Sequence, residues 1–154
     1  MNIFLLRHGE TDFNRAGRLQ GHMDIPLNQN GRTQVSHAAE ILAGLNTGID
    51  LIISSPLSRA YESAEIVAEK LAYKKENIVV EPMLIERSFG AILYAIVTTV
   101  TNGQIAYGSK VVKFDPGSIH LIRYWDGKIK LSKYCEAKER FADIEFNLPL
   151  HEEI

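Results

Sequence analysis

The chain has 154 residues, 45% of them hydrophobic, so its length allows one domain with a hydrophobic core and is short for two. Its 17 basic and 19 acidic residues are well mixed and give a formal net charge of -2, which argues against a nucleic-acid-binding surface. The single cysteine excludes an internal disulfide, and no apolar run has the length of a secretory signal or a membrane helix, so we expect a cytoplasmic protein without nucleic-acid or membrane partners.

The first half of the chain predicts alternating strands and helices. In chain order, the apolar runs and the helical spacing of apolar residues predict a strand at 3–6, a loop at 11–31, a helix at 31–45, a strand at 50–56, a helix at 57–73, a short strand at 78–80 and a loop at 81–90. Because strands that alternate with helices usually pair in parallel, we expect a mainly parallel sheet.

The second half changes character after Gly90. Residues 91–100 (AILYAIVTTV) fit either a helix, which their alanines favour, or a strand that pairs beside the first strand. Residues 111–114, 118–124 and 128–134 predict an antiparallel meander with turns at 115–117 and 126–127. A two-residue turn at 126–127 places Tyr124 opposite Ile129, Ile122 opposite Leu131 and His120 opposite Lys133. We expect a single domain at 1–135, followed by a tail at 136–154 that forms a short helix or a loose end.

Arg7 and His8 stand at the end of the first strand, before Gly9. Ligands bind at the carboxyl ends of parallel strands, so these side chains are expected in a crevice. The segment after the second strand, SSPLSRA, places Arg59 in the first turn of the next helix, near its positive end. A histidine nucleophile between two arginines suits attack on a phosphoester, although a strand-end histidine and a first-turn arginine are also common as structural residues.

Four segments carry a resemblance to a known family. LLRHGETDFN, GHMDIPLNQNG, SSPLSRAYESAEIVAEKL and MLIERSFG occur in this order within residues 2–90, and together they resemble the histidine phosphatase superfamily, in its phosphoglycerate-mutase-like branch. The resemblance implies a three-layer α/β fold in which His8 is transiently phosphorylated. It also implies that Arg7, Arg59 and Asn14 bind the phosphoryl group, with no cofactor or metal.

The same resemblance assigns further residues around the substrate. Glu86 matches the carboxylate proposed to give a proton to the leaving oxygen, and Arg87 matches a substrate contact. Gln20, Gly21 and His22 lie in the loop after the first strand and are candidates for substrate binding. The expected substrate is a small phosphomonoester, and the expected activity is that of a phosphatase.

The family also has a second histidine, in a strand ending Ser-His-Gly, which this sequence lacks. The resemblance therefore implies an internal deletion after Gly90 that removes one strand and weakens the activity. His37 falls within a helix off its apolar face, and His120 fits a partly buried position of the meander. Two alternatives stay open: an inactive relative that binds phosphorylated ligands, with a homo-oligomer restoring the strand pairing, and a phosphoglycerate-mutase-type isomerase.

Overall fold

The computed structural model describes residues 2–85, 115–125, 128–135 and 140–143. The described strands are β1 (Asn2–Leu6), β2 (Ile53–Ser54), β3 (Val79–Val80), β4 (Ile119–Trp125), β5 (Lys128–Cys135) and β6 (Arg140–Asp143). The described helices are α1 (Asp12–Arg15), α2 (Gln29–Gly44) and α3 (Ser58–Lys70), with 3-10 turns at Lys75–Asn77 and Pro82–Leu84. None of the described helices combines the length and the apolar composition that a membrane span requires.

The larger sheet has the strand order β1-β4-β5-β6, and every neighbouring pair in it is antiparallel. The register of the meander is the predicted one, with Tyr124 opposite Ile129, Ile122 opposite Leu131 and His120 opposite Lys133. The strand β4 also pairs with β1, which places His120 opposite Leu5.

The prediction of a mainly parallel sheet is not confirmed in the described part of the chain. Only β2 and β3 pair in parallel, as expected for two strands connected by a crossing helix, here α3. The strand β1 instead takes β4 as its neighbour and belongs to a different sheet from β2. The predicted elements at 91–100 and 111–114 lie outside the described residues.

The prediction that the tail is a short helix or a loose end is wrong for Arg140–Asp143. These residues form β6 and pair with β5. The reason is aromatic packing, since the ring of Phe141 lies 5.4 Å from that of Tyr134 and 6.2 Å from that of Phe4. The sheet of the predicted domain thus extends past residue 135.

The two long helices lie close to their predicted positions and pack against each other and against the larger sheet. The helix α2 begins after Asn28, whose side-chain oxygen accepts a hydrogen bond from the Gly31 N–H at 2.8 Å. The apolar face of α2 is buried, whereas His37 is exposed, as predicted. The helices and the sheet enclose a hydrophobic cluster, and its buried described residues are Leu27, Val35, Ala38, Ala39, Leu42, Val67 and Ile119.

Both faces of the larger sheet carry buried residues. Phe4, Leu6 and Ile119 point towards α2, as their contacts with the cluster show. Leu5 and His120 point to the opposite face and are buried as well. A sheet covered on both faces is typical of mixed α/β proteins, in which strands read as continuous apolar runs.

Candidate active site

The backbone directly after β1 is held by the turn that leads into β4. The Arg7 N–H donates to the Ser118 carbonyl at 3.2 Å, and the Gly117 N–H donates to the Arg7 carbonyl at 3.1 Å. Gly117 has a φ of 73°, a conformation that glycine adopts readily. This turn fixes the point at which the chain leaves the sheet and presents His8.

His8 is buried and has one ring nitrogen in use. Its Nδ1 lies 2.7 Å from the Gly9 carbonyl oxygen, so Nδ1 carries the proton and donates it. Its Nε2 is buried and has no hydrogen-bond partner among the described residues. Burial lowers the pKa of His8 to about 4 against the opposing effect of the Gly9 carbonyl, and the positive charges of Arg59 and Arg7 lower it further. The imidazole is therefore neutral at neutral pH, with the Nε2 lone pair unoccupied by any described donor.

Two glycines bring the start of α2 against the segment that follows His8. A Cβ atom on Gly9 would lie 2.2 Å from the Gly31 carbonyl oxygen, and one on Gly31 would lie 2.1 Å from the Glu10 carbonyl oxygen. Neither glycine was predicted from the sequence to make this backbone contact. A glycine in the first turn of a helix, where it is intrinsically unfavourable, is a signal of such close approach.

Arg59 is almost fully buried, with 1% of its surface exposed, so it is not a solvated first-turn residue. Its Nη1 donates to the Met23 carbonyl at 2.8 Å and its Nη2 to the Gly21 carbonyl at 3.0 Å. Arg59 thus holds the loop that contains His22 while its charge acts on His8. The sequence predicted a phosphate ligand at this position and missed the contact with the loop.

Asp24 connects the same loop to the start of α3. Its Oδ1 accepts a hydrogen bond from the Ser58 N–H at 2.7 Å. The residue at the N-cap position, Leu57, has no side-chain oxygen, so Asp24 satisfies a helix N–H that the cap itself leaves unpaired. This role could not be predicted from the sequence, because the two residues lie 34 positions apart in the chain.

The predicted loop at 11–31 contains a short helix, α1, with a reciprocal cap. The Asn14 N–H donates to Thr11 Oγ1 at 3.2 Å, and the Thr11 N–H donates to Asn14 Oδ1 at 3.0 Å. Thr11 is fully buried, and its hydroxyl donates to Gln20 Oε1 at 2.7 Å. The Nδ2 of Asn14 is buried and lacks a hydrogen-bond partner among the described residues. The Thr-x-x-Asn spacing is the signal that could have predicted this cap.

The structure brings three of the predicted site residues to one cavity, which Arg7, His8 and Arg59 all line. Gln20 and Gly21 are tied to the site through their contacts with Thr11 and Arg59, and His22 is exposed. Glu86 and Arg87 lie outside the described residues. Among the residues that the structure does describe, no group of three or more His, Cys, Asp or Glu side chains could hold a metal ion.

Comparison with known proteins gives a family and several relatives. A family model described as histidine phosphatase superfamily (branch 1) matches residues 3–101. The chain is 32% identical over 116 residues to the probable phosphoglycerate mutase GpmB of Proteus mirabilis, an alignment that covers 75% of this chain and 52% of that protein. The chain thus spans about half the length of the curated relatives of this kind.

Two solved structures are similar as well. A mycobacterial glucosyl-3-phosphoglycerate phosphatase, solved with VO3, is 39% identical with a TM-score of 0.50, covering 55% of this chain and 40% of that chain. YhfR of Bacillus stearothermophilus is 18% identical with a TM-score of 0.69, covering 83% of this chain and 93% of that chain. At this identity the second likeness shows a shared fold alone.

Proposed function

The chain belongs to branch 1 of the histidine phosphatase superfamily, and we propose that it hydrolyses small phosphomonoesters through a phosphohistidine on His8. The observation that carries the proposal is the state of this imidazole. Its Nδ1 proton is held by the Gly9 carbonyl, and its pKa is lowered to about 4. A neutral imidazole with an oriented Nε2 lone pair is the form that can attack phosphorus.

The charges around His8 favour an anionic substrate. Arg7 and Arg59 line the same cavity as His8, and both lower its pKa through their positive charge. Guanidinium groups match the equatorial oxygens of a phosphoryl group in transfer. The Asn14 Nδ2, which has no partner among the described residues, is a further donor that we assign to the phosphate.

The reaction has two steps that balance. In the first, the Nε2–P bond forms and the ester P–O bond breaks, and the leaving oxygen takes a proton and departs as an alcohol. In the second, water attacks phosphorus and gives a proton to the carboxylate that protonated the leaving oxygen, the N–P bond breaks, and inorganic phosphate is released. We assign the proton donor to Glu86 and a substrate contact to Arg87, and we place Gln20, Gly21 and His22 at the entrance of the site.

A second candidate function comes from the Proteus mirabilis relative, whose name is that of a probable phosphoglycerate mutase. An isomerase would return the phosphoryl group to another oxygen of the same substrate instead of to water. Phosphate release from 3-phosphoglycerate, measured beside its isomerisation, separates the two. Isomerisation without release would replace the phosphatase proposal.

The test of the proposal compares His8→Ala with the wild-type chain on p-nitrophenyl phosphate. The matched control is His37→Ala, because His37 is exposed on α2. We expect the His8 variant to fall to the uncatalysed rate and the His37 variant to keep the wild-type rate. We also expect an acid-labile, base-stable phosphoryl label on the wild-type chain. Equal rates in all three proteins would indicate a ligand-binding relative without turnover.

A further inference from the structure

The peptide unit between Gly9 and Glu10 makes a hydrogen bond at each of its two ends. Its carbonyl oxygen, on Gly9, lies 2.7 Å from His8 Nδ1 and accepts the proton of that nitrogen. Its N–H, on Glu10, donates to the side-chain Oε1 of Gln34 on α2 at 2.9 Å. A peptide unit is planar, with its C=O and N–H pointing in opposite directions, so the bond to Gln34 fixes the direction in which the carbonyl faces the imidazole.

The backbone at Gly9 leaves the orientation of this peptide unit to its contacts with the rest of the fold. Glycine has no Cβ, so its φ and ψ angles are the least restricted of any residue, and its carbonyl is free to rotate away from the imidazole. A Cβ is excluded at this position, because it would lie 2.2 Å from the Gly31 carbonyl oxygen. A glycine is thus required next to the histidine, and a more distant side chain has to restrain the same peptide.

Gln34 is well placed to supply this restraint, because it contacts the backbone on both sides of His8. It is half-buried on α2, and a Cβ on Gly117 would lie 3.0 Å from the Gln34 Cβ. The Gly117 N–H in turn donates to the carbonyls of Arg7 and His8, at 3.1 and 3.2 Å. Gln34 therefore lies between the turn that binds the His8 carbonyl and the peptide that binds the His8 ring.

We propose that Gln34 is a positioning residue for His8, which acts through the Gly9–Glu10 peptide to keep the proton on Nδ1 and the lone pair on Nε2. This inference rests on the proposed function and adds to it a residue that acts through another group. The nitrogen of a histidine that remains free to react is set by the hydrogen bond that the other nitrogen makes. An acceptor on the Glu10 N–H also polarises the amide, which makes the Gly9 carbonyl a better acceptor for the Nδ1 proton.

The test uses single substitutions on α2. Gln34→Met removes the acceptor and keeps the side-chain length and the helix propensity, whereas Gln34→Glu keeps an acceptor oxygen. Gln29→Met is the matched control, because it makes the same chemical change at an exposed residue of the same helix. Ala39→Gly is the control for stability, since a glycine inside α2 weakens the helix without removing an acceptor.

NMR of the ring nitrogens, in protein labelled with ¹⁵N-histidine, measures the tautomer of His8, whose signals are those missing from His8→Ala. In the wild type, Gln29→Met and Gln34→Glu we expect well-separated signals of a protonated Nδ1 and an unprotonated Nε2. In Gln34→Met we expect the two signals to move towards each other, because the imidazole then exchanges between its tautomers.

Release of p-nitrophenol from p-nitrophenyl phosphate in the first turnover, followed by rapid mixing, separates positioning of the nucleophile from binding of the substrate. We expect Gln34→Met to lower the saturating rate about 10-fold or more and to change the half-saturating concentration by less than about 2-fold. Gln34→Glu should stay within about 3-fold of the wild type in both quantities, and Gln29→Met and Ala39→Gly should match the wild type.

Three results would overturn the proposal: an unchanged His8 tautomer in Gln34→Met, a wild-type saturating rate in that variant, or the same change of tautomer in Ala39→Gly. The last result would make Gln34 a structural tie between α2 and the loop. If Gln34→Met does not fold, Gln34→Asn takes its place with the same expected results, because its shorter side chain withdraws the oxygen from the Glu10 N–H. A tautomer that depends on Gln34, in a chain without any His8-dependent hydrolysis, would contradict the proposed function and uphold the orienting role of Gln34.

Discussion

Replacing Gly31 with alanine tests the close approach that seats α2 beside the candidate active site. The new Cβ would lie 2.1 Å from the Glu10 carbonyl oxygen and 2.7 Å from the Glu10 nitrogen. Both are backbone atoms, so no side-chain rotation relieves the overlap. Overpacking of this kind costs about 1–3 kcal/mol, and we expect the upper part of that range. The higher helix propensity of alanine offsets up to about 1 kcal/mol of this cost, so the free energy of unfolding should fall by about 2 kcal/mol.

Gly44→Ala is the matched control, since Gly44 is the last residue of the same helix and a Cβ there would meet nothing within 4 Å. We expect it to raise the free energy of unfolding by up to about 1 kcal/mol, which is the propensity effect alone. The assay is urea unfolding followed by circular dichroism, with m-values compared for the two variants. If Gly31→Ala is as stable as Gly44→Ala, the argument from close backbone approach is wrong.

Three further predictions concern charge, buried histidines and the loop. The free energy of unfolding should rise with pH between about 4 and 6.5, because burial lowers the pKa of both His8 and His120 to about 4, whereas the unfolded chain takes up protons below 6.5. Urea midpoints across this range measure it, and a flat profile would contradict it. Arg59→Lys should lower kcat/KM on p-nitrophenyl phosphate roughly 100-fold, because a lysine ammonium cannot replace the planar guanidinium group that binds two carbonyls. An unchanged value would show that Arg59 has no part in the site. Asp24→Ala should destabilise the chain by about 1 kcal/mol and Asp24→Asn by less, as measured by thermal unfolding; equal losses would indicate that the hydrogen bond to Ser58 contributes nothing.

The elements that could be predicted from the sequence are those specified by local patterns. The helical spacing of Val35, Ala38, Ala39 and Leu42 predicted α2 within two residues at each end, and the hairpin turn predicted the β4–β5 register. The neighbour of β1 could not be predicted in this way, because its apolar run fits any partner strand. Likewise, the strand β6 depends on the contact of Phe141 with Phe4, which is distant in the chain.

In the candidate site, too, local sequence patterns predicted some features, whereas others depend on contacts between distant residues. The convergence of Arg7, His8 and Arg59 on one cavity follows from their positions next to strand ends, and the sequence indicated it. The bonds that orient these groups did not follow, because they join Arg59 to carbonyls more than thirty residues away and Asp24 to the start of α3. Each such bond depends on a fold that is already formed.

The burial of His8 connects the packing of the fold to its proposed chemistry. An exposed histidine would have a pKa near 6.5 and would be partly protonated in mildly acidic solution, and a protonated imidazole cannot attack phosphorus. Burial is the largest cause of the lowered pKa of His8, and the charges of Arg59 and Arg7 act in the same direction. In the proposed mechanism the two arginines act on His8 before any substrate binds, since the positive charge that would attract a phosphoryl group also disfavours a proton on Nε2. The packing that encloses His8 thereby keeps its imidazole in the neutral form that the proposed attack requires.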